Sequence, residues 1–244
     1  DPRNIYVVSV MPCTAKKYEV KRPEMDGAFH YWKDKLNLNE NERFCDVDAV
    51  LTTRELARML KENGIDFTHL PEDNFDSPLG ESSGAAVIFG ATGGVMEAAL
   101  RTAFEVYTGQ TLQSLDFVQV RGMNGIKEAE IDLKDTKIKV AIAHTLKNAR
   151  ILLEQINEGN SQYAFIEIMT CPGGCLGGGG QPIPTNTFIR QKRAESIYFE
   201  DAGKAIRKSH ENPEITTLYS EFLHEPLGHI SHELLHTNYT KRAK

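Results

Sequence analysis

The chain has 244 residues, 40% of them hydrophobic, with 28 Lys+Arg against 34 Asp+Glu for a net charge of −6. That length suggests one large domain or two small lobes around a sizeable core. The acidic balance argues against nucleic-acid binding, and no apolar run approaches the roughly 18 residues of a membrane helix.

The opening stretch DPRNIYVVSV reads as a strand, not as a basic segment leading into an apolar one. No secretory leader is read there, so a cytoplasmic location is expected. The absence of an initiator Met suggests a processed chain, an excised piece or part of a longer protein. IYVVSVM (Ile5 to Met11) is an apolar, β-branched run that predicts a buried strand delivering Pro12 and Cys13 at its end. The polar stretch from Glu19 to Phe44 reads as irregular. VDAVLTT predicts a second strand, with Thr53 capping a helix over RELARMLKENG that Gly64 ends. FTHLPEDNFDSPLGESSG has no periodicity and reads as a long surface loop. AAVIFGATGG predicts a strand entering a glycine turn, and VMEAALRTAFEVYTG a helix with apolar spacing of three and four. KIKVAIAH and YAFIEIM predict strands, with TLKNARILLEQINEG a helix between them. A charged helix is expected from Thr187 to Asn212, then a shorter helix over EITTLYSEFLHE and a last turn at HELLHTNY. Strands alternating with helices imply an α/β fold with a mostly parallel sheet flanked by helices.

The four cysteines are Cys13, Cys45, Cys171 and Cys175. A chain of this size does not need disulfide staples, so metal binding or catalysis is the better expectation. Cys13 and Cys171 each follow a predicted strand, and in open α/β sheets ligands bind beyond the carboxyl ends of strands. Three thiols could thus converge on one cleft, where thiolates would select zinc, copper(I) or an iron–sulfur cluster. Incidental buried thiols or a redox pair are the alternatives. The run CPGGCLGGGGQP (Cys171 to Pro182) adds bare backbone that could donate N–H groups to cluster sulfurs and keep Cβ atoms away from a bulky centre. A mobile loop is the plainer alternative. A phosphate loop is not, because no Lys and Ser/Thr follow the glycines.

MPCTAKKYE (Met11 to Glu19) and EIMTCPGGCLGGGGQP (Glu167 to Pro182) resemble the second and third signature motifs of the [FeFe]-hydrogenases, M-P-C-x-x-K-x-x-E and E-x-M-x-C-x-x-G-C-x-x-G-G-G-Q-P. FGATGGVMEAALR and EPLGHISHELLHTNY are also similar to this family, the latter to its small-subunit tail. The family's first motif, T-S-C-C-P-x-W, is absent: it would lie upstream of IYVVSVMPC, where only Asp1 to Asn4 stand.

The resemblance implies a two-lobed α/β fold with a helical C-terminal tail and a cluster site in the cleft between lobes. Residues 1–185 would be the C-terminal part of the large-subunit catalytic domain and 186–244 the small-subunit-like tail. It implies reversible reduction of protons to H2 at an H-cluster, a [4Fe–4S] cubane joined through one cysteine to a diiron unit with CO, CN and a dithiolate bridge. Cys13, Cys171 and Cys175 match three of the four cluster ligands, and Cys175 the one that bridges the two iron units. These three should lie within one cluster's reach, with Cys45 apart as a structural thiol. Lys16 matches the lysine that donates to a cyanide, Met11 and Met169 the methionines around the diiron unit, and Phe89 the residue before a cavity-lining turn. Glu19 and Glu167 are motif residues best read as salt-bridge partners. His229, His232 and His236 sit at helical spacing, but packing and surface hydrogen bonds fit them better than zinc. Ferredoxin or a cluster-bearing partner would supply electrons, and a segment or separate chain carrying the first motif would complete the site. An iron–sulfur scaffold or sensory relative without turnover is the alternative. Met11, Lys16 and Met169 favour the enzyme.

Overall fold

The computed structural model describes residues 1–241. In chain order the main elements are β1 (Val8–Met11), α1 (Lys16–Glu19), α2 (Gly27–Lys33), β2 (Ala49–Thr52), α3 (Thr53–Glu62), α4 (Gly84–Val87) and α5 (Gly94–Thr108). They continue as β3 (Ile126–Asp132), β4 (Lys137–His144), α6 (Leu146–Asn157), β5 (Tyr163–Met169), α7 (Thr187–Gly203), α8 (Pro213–Leu218) and α9 (His229–Leu235). The chain forms two compact units: Asp1–Glu72 together with the segment from Thr217 onward, and Asp73–Thr216. The first unit is therefore discontinuous in sequence and the second continuous.

In the first unit β1 and β2 pair in parallel, with Met11 opposite Thr52. The strand at IYVVSVM is shorter than expected and it is not buried: Val8 and Val10 are each 45% exposed, and Ile5 and Tyr6 more so. β1 is paired with β2 alone among the described residues, so its apolar side chains have little to pack against. α3 begins directly after β2, and its cap is Thr52 instead of Thr53. Thr52 Oγ1 accepts from Glu55 N at 3.1 Å while Glu55 Oε2 accepts from Thr52 N at 2.8 Å, a complete capping box. Thr52→Ala should lower stability by about 1 kcal/mol, read as a shift in urea midpoint at constant m; no shift would mean the strand pairing alone starts the helix.

α2 falls in the stretch read as irregular. Its own cap residue, Asp26, makes no side-chain cap bond. Instead the Asp46 carboxylate accepts from Gly27 N at 3.0 Å and Ala28 N at 2.8 Å, a cap from far along the chain that no local pattern reveals. Phe29, fully buried, meets Phe44 edge-on. α9 packs against α2, Tyr31 meets Phe222 edge-on, and Arg22 donates to the Asn238 carbonyl at 2.6 Å.

In the second unit the sheet order is β3–β4–β5. β4 and β5 run parallel as expected and occupy the predicted residues, whereas β3 was not foreseen and is antiparallel to β4. The α/β class holds, with helices around small sheets of mixed direction. Met96, Leu100, Phe117, Val120, Ile131, Val140 and Ile142 form the main core. The strand expected in AAVIFGATGG is helical: α4, then a 3-10 turn over Ile88–Gly90. Ser83 Oγ caps α4 by accepting from Ala86 N at 3.3 Å, and Ala85 and Ile88 bury together against Ala98. A short apolar run fits a buried helix as well as a strand. The charged helix ends at Gly203, short of Asn212, and only a 3-10 turn over Ser209–Glu211 follows. The stretch from Glu72 to Glu81 is irregular and mostly exposed, as expected. No helix among the described residues is long and apolar enough to cross a membrane.

Candidate cluster site

β5 is where the site is best defined. It ends at Met169, and Cys171 follows two residues on. The loop then turns sharply: Gly173 and Gly174 have φ of +78° and +89°, Gly174 N donates to the Cys171 carbonyl at 3.0 Å, and Gly178 N to that of Cys175 at 3.0 Å. Cys171 is half-buried and Cys175 exposed. Part of the glycine content answers to the chain's own packing. A Cβ on Gly174 would stand 2.7 Å from both Met169 Sδ and Thr92 N, and one on Gly177 would strike the Pro172 carbonyl. Past Cys175 the loop is held from α7. Arg193 Nη1 donates to the Leu176 carbonyl at 2.8 Å and Nη2 to that of Pro182 at 2.9 Å, while Gln181 Nε2 donates to the Cys175 carbonyl at 3.2 Å.

The loop rests on the turn between α4 and α5. Thr92 N donates to the Gly173 carbonyl at 3.0 Å. Phe89, 47% exposed, belongs to the 3-10 turn just before this contact. Met123 is a second thioether at the cysteine turn: its Sδ stands 3.0 Å from where a Gly173 Cβ would be. Its sequence neighbourhood carries no motif, so only the folded chain reveals it.

Glu167 and Lys127 lie beneath this turn, 5% and 8% exposed. The Glu167 carboxylate accepts from Gly93 N at 2.6 Å and Met96 N at 2.7 Å, at the start of α5. Lys127 Nζ donates to the carbonyls of Thr92 and Gly122, each at 3.0 Å. Burial pushes the Glu167 carboxyl up and pulls the Lys127 ammonium down to about 8; each charge works against the other's shift. Glu167 is therefore a helix-cap acceptor with backbone N–H groups as its hydrogen-bond partners, in place of the salt bridge expected of it, and it feels the Lys127 charge nearby.

In the first unit, β1 ends at Met11 and Cys13 follows two residues on, half-buried. Lys16 opens α1 and pairs with Glu19 at 2.7 Å, so Glu19 does make a salt bridge. Cys45 is exposed on the chain leading to β2. His232 and His236 meet ring to ring, centroids 4.4 Å apart, and His229 lies 3.9 Å from Glu233.

In each unit a thioether and a thiol stand at the end of a parallel-paired strand, and these are donor types that iron–sulfur clusters take. Two family profiles match the chain: iron-only hydrogenase large subunit, C-terminal domain, over residues 1–179, and iron hydrogenase small subunit over residues 187–242. The chain belongs to the iron-only, or [FeFe], hydrogenase family. It is 52% identical over 241 residues to the NADP-reducing hydrogenase subunit HndD of Solidesulfovibrio fructosivorans, covering 98% of this chain and 39% of that one. Against iron hydrogenase 1 of Clostridium pasteurianum it is 42% identical over 246 residues, covering 99% and 40%. Protein NAR1 of Arabidopsis thaliana is 32% identical over 247 residues, with 96% and 50% covered. A solved variant of the [FeFe]-hydrogenase HydA1 from Chlamydomonas reinhardtii matches with a TM-score of 0.74 at 41% identity, covering 98% of this chain and 64% of that one. The chain thus spans about two fifths of the length of the two hydrogenase relatives.

Proposed function

We propose that the chain is the part of an [FeFe]-hydrogenase that carries most of the H-cluster ligands, for the reaction 2 H⁺ + 2 e⁻ ⇌ H2. The observation that carries this reading is a repeated arrangement. In each unit a parallel-paired strand ends in methionine and a cysteine follows two residues later, Met11 with Cys13 and Met169 with Cys171. The residues fit the group: soft thiolates suit iron–sulfur clusters, and the positive-φ turn at Gly173 and Gly174 keeps Cβ atoms off the loop between two of them. Residues 1–185 would then be the C-terminal part of the large-subunit catalytic domain and 186–244 the small-subunit-like segment.

In this reading Cys13, Cys171 and Cys175 would hold the cluster, with Cys175 at the position that the resemblance gives to the ligand common to both iron units. The bound cluster supplies the redox chemistry; the protein supplies position, dielectric and access. Lys16 has three N–H donors, so it can keep Glu19 and still donate to a cyanide. Met11, Met169 and Phe89 would wall the diiron unit with soft and apolar surface that excludes water. Electrons would arrive from ferredoxin or a cluster-bearing partner.

No T-S-C-C-P-x-W motif is present, and with it would go the fourth cluster ligand and the first proton relay. Residues 1–244 matured alone should therefore evolve no hydrogen, and addition of a segment carrying that motif should restore turnover. The exposed apolar side of β1 is where such a segment would pair. Equal activity with and without the added segment would overturn this requirement.

The likeness to cytosolic iron-sulfur assembly component 3 of Mus musculus, 29% identical over 244 residues, favours a second reading, a hydrogenase-like protein of iron–sulfur assembly. Infrared spectroscopy on matured protein separates the two: carbonyl and cyanide bands are expected for the hydrogenase. Cluster loading without those bands would establish the scaffold.

A further inference from the structure

Beneath the cysteine turn a single peptide unit is gripped from both sides. The Thr92–Gly93 peptide donates its N–H to Glu167 Oε1 at 2.6 Å and accepts, through its C=O, from Lys127 Nζ at 3.0 Å. A carboxylate at the N–H end and an ammonium at the C=O end both align that peptide's dipole. The preceding peptide donates the Thr92 N–H to the Gly173 carbonyl at 3.0 Å, and Gly173 lies between Cys171 and Cys175. Gly93 has a φ of +93°, and a Cβ there would stand 2.0 Å from the Val120 carbonyl oxygen, so this position needs glycine.

We propose that Glu167 and Lys127 are positioning residues that fix the Cys171–Cys175 turn through the Thr92–Gly93 peptide, and that their opposite charges set the reduction potential of the cluster the turn holds. The proposal rests on the reading of Cys171 and Cys175 as cluster ligands. Both partners are buried and Thr92 itself is 1% exposed, so their field is screened less than that of surface charges. Burial opposes the charged form of each partner, while the backbone N–H donors and the facing charge support it.

The two charges must act with opposite sign. Removing the carboxylate makes an added electron easier to accept, and removing the ammonium makes it harder. After anaerobic reconstitution with iron and sulfide, Glu167→Gln should raise the cubane potential and Lys127→Met lower it. Each change should be about tenfold in the reduction equilibrium, about 59 mV for a one-electron couple, read by titration monitored with electron paramagnetic resonance. The double variant should return close to wild type. Shifts of the same sign, or none, would overturn the charge role, since simple loosening of the turn has no reason to invert with the sign of the charge removed.

Amide hydrogen exchange on the cluster-free wild type tests the grip independently of any variant's folding. Thr92, Gly93 and Met96 should be protected, and exchange of Thr92 and Gly93 at unstructured rates would overturn it. Wild-type protein that takes up no cluster while those amides stay protected would instead refute the ligand reading and leave the potential role without basis.

Discussion

Arg101→Met is expected to destabilise the second unit by about 3–5 kcal/mol, the cost of breaking a buried ion pair from one side. Arg101 is fully buried. Its guanidinium donates to Asp201 Oδ1 at 2.7 Å and Oδ2 at 2.8 Å, to Glu97 Oε1 at 2.8 Å, and to the carbonyls of Leu115 and Arg207, each at 2.9 Å. These bonds tie α5 to the end of α7 and to both flanking loops. Asp201 and Glu97 would keep Arg207 and Arg121 as partners, which places the expected loss at the lower end of that range. Lysine should rescue little, because a point charge cannot reproduce the fork that meets both Asp201 oxygens. Urea unfolding of wild type and variant measures the difference, and a loss under about 1 kcal/mol would mean the remaining arginines re-form the network.

Cys175→Ser is expected to abolish hydrogen turnover in the completed, matured enzyme while leaving the fold intact. The thiol is exposed in the cluster-free chain, so the change should cost less than about 0.5 kcal/mol of stability, as for surface substitutions away from special features. Its role in the proposed site is out of proportion to that, since it would be the one sulfur joining the two iron units. Far-ultraviolet circular dichroism checks the fold, and hydrogen evolution with a reduced dye checks the activity. Wild-type turnover in the variant would remove Cys175 from the bridging position.

What could be read in advance follows the range of the forces involved. β4 buries four apolar residues in a row, Val140 to Ala143, and β5 is an apolar run broken only by the buried Glu167; the bounds of both were legible to the residue. α5 and α6 carry a clear three-and-four period. β3 escaped because Glu128 and Glu130 alternate on its outer side and a lysine, Lys127, sits on its inner one; the usual apolar alternation is broken by a residue serving another purpose. α2 escaped because its cap comes from Asp46. The cysteines and methionines of the site were legible as long motifs. Lys127, Met123 and Arg193 were not, because Met123 and Arg193 reach the cysteine loop, and Lys127 the Thr92 carbonyl beside it, only through contacts between segments distant in sequence.

The order in which the two units can close follows from their connectivity. Residues 73–216 form an uninterrupted stretch, whereas the first unit needs its closing pieces from beyond Thr217: Phe222 for Tyr31, the Asn238 carbonyl for Arg22, and α9 for α2. During N-to-C synthesis the earlier residues must wait for the later ones, so the inserted unit, with Cys171 and Cys175, is able to finish first. The unit with Cys13 is completed only after residues beyond Thr217 have emerged from the ribosome. Any cluster that draws on all three cysteines is then assembled only once the segment beyond Thr217 is available, and a nascent chain stalled before Thr217 would present two of the thiols on a finished support and the third on an unfinished one.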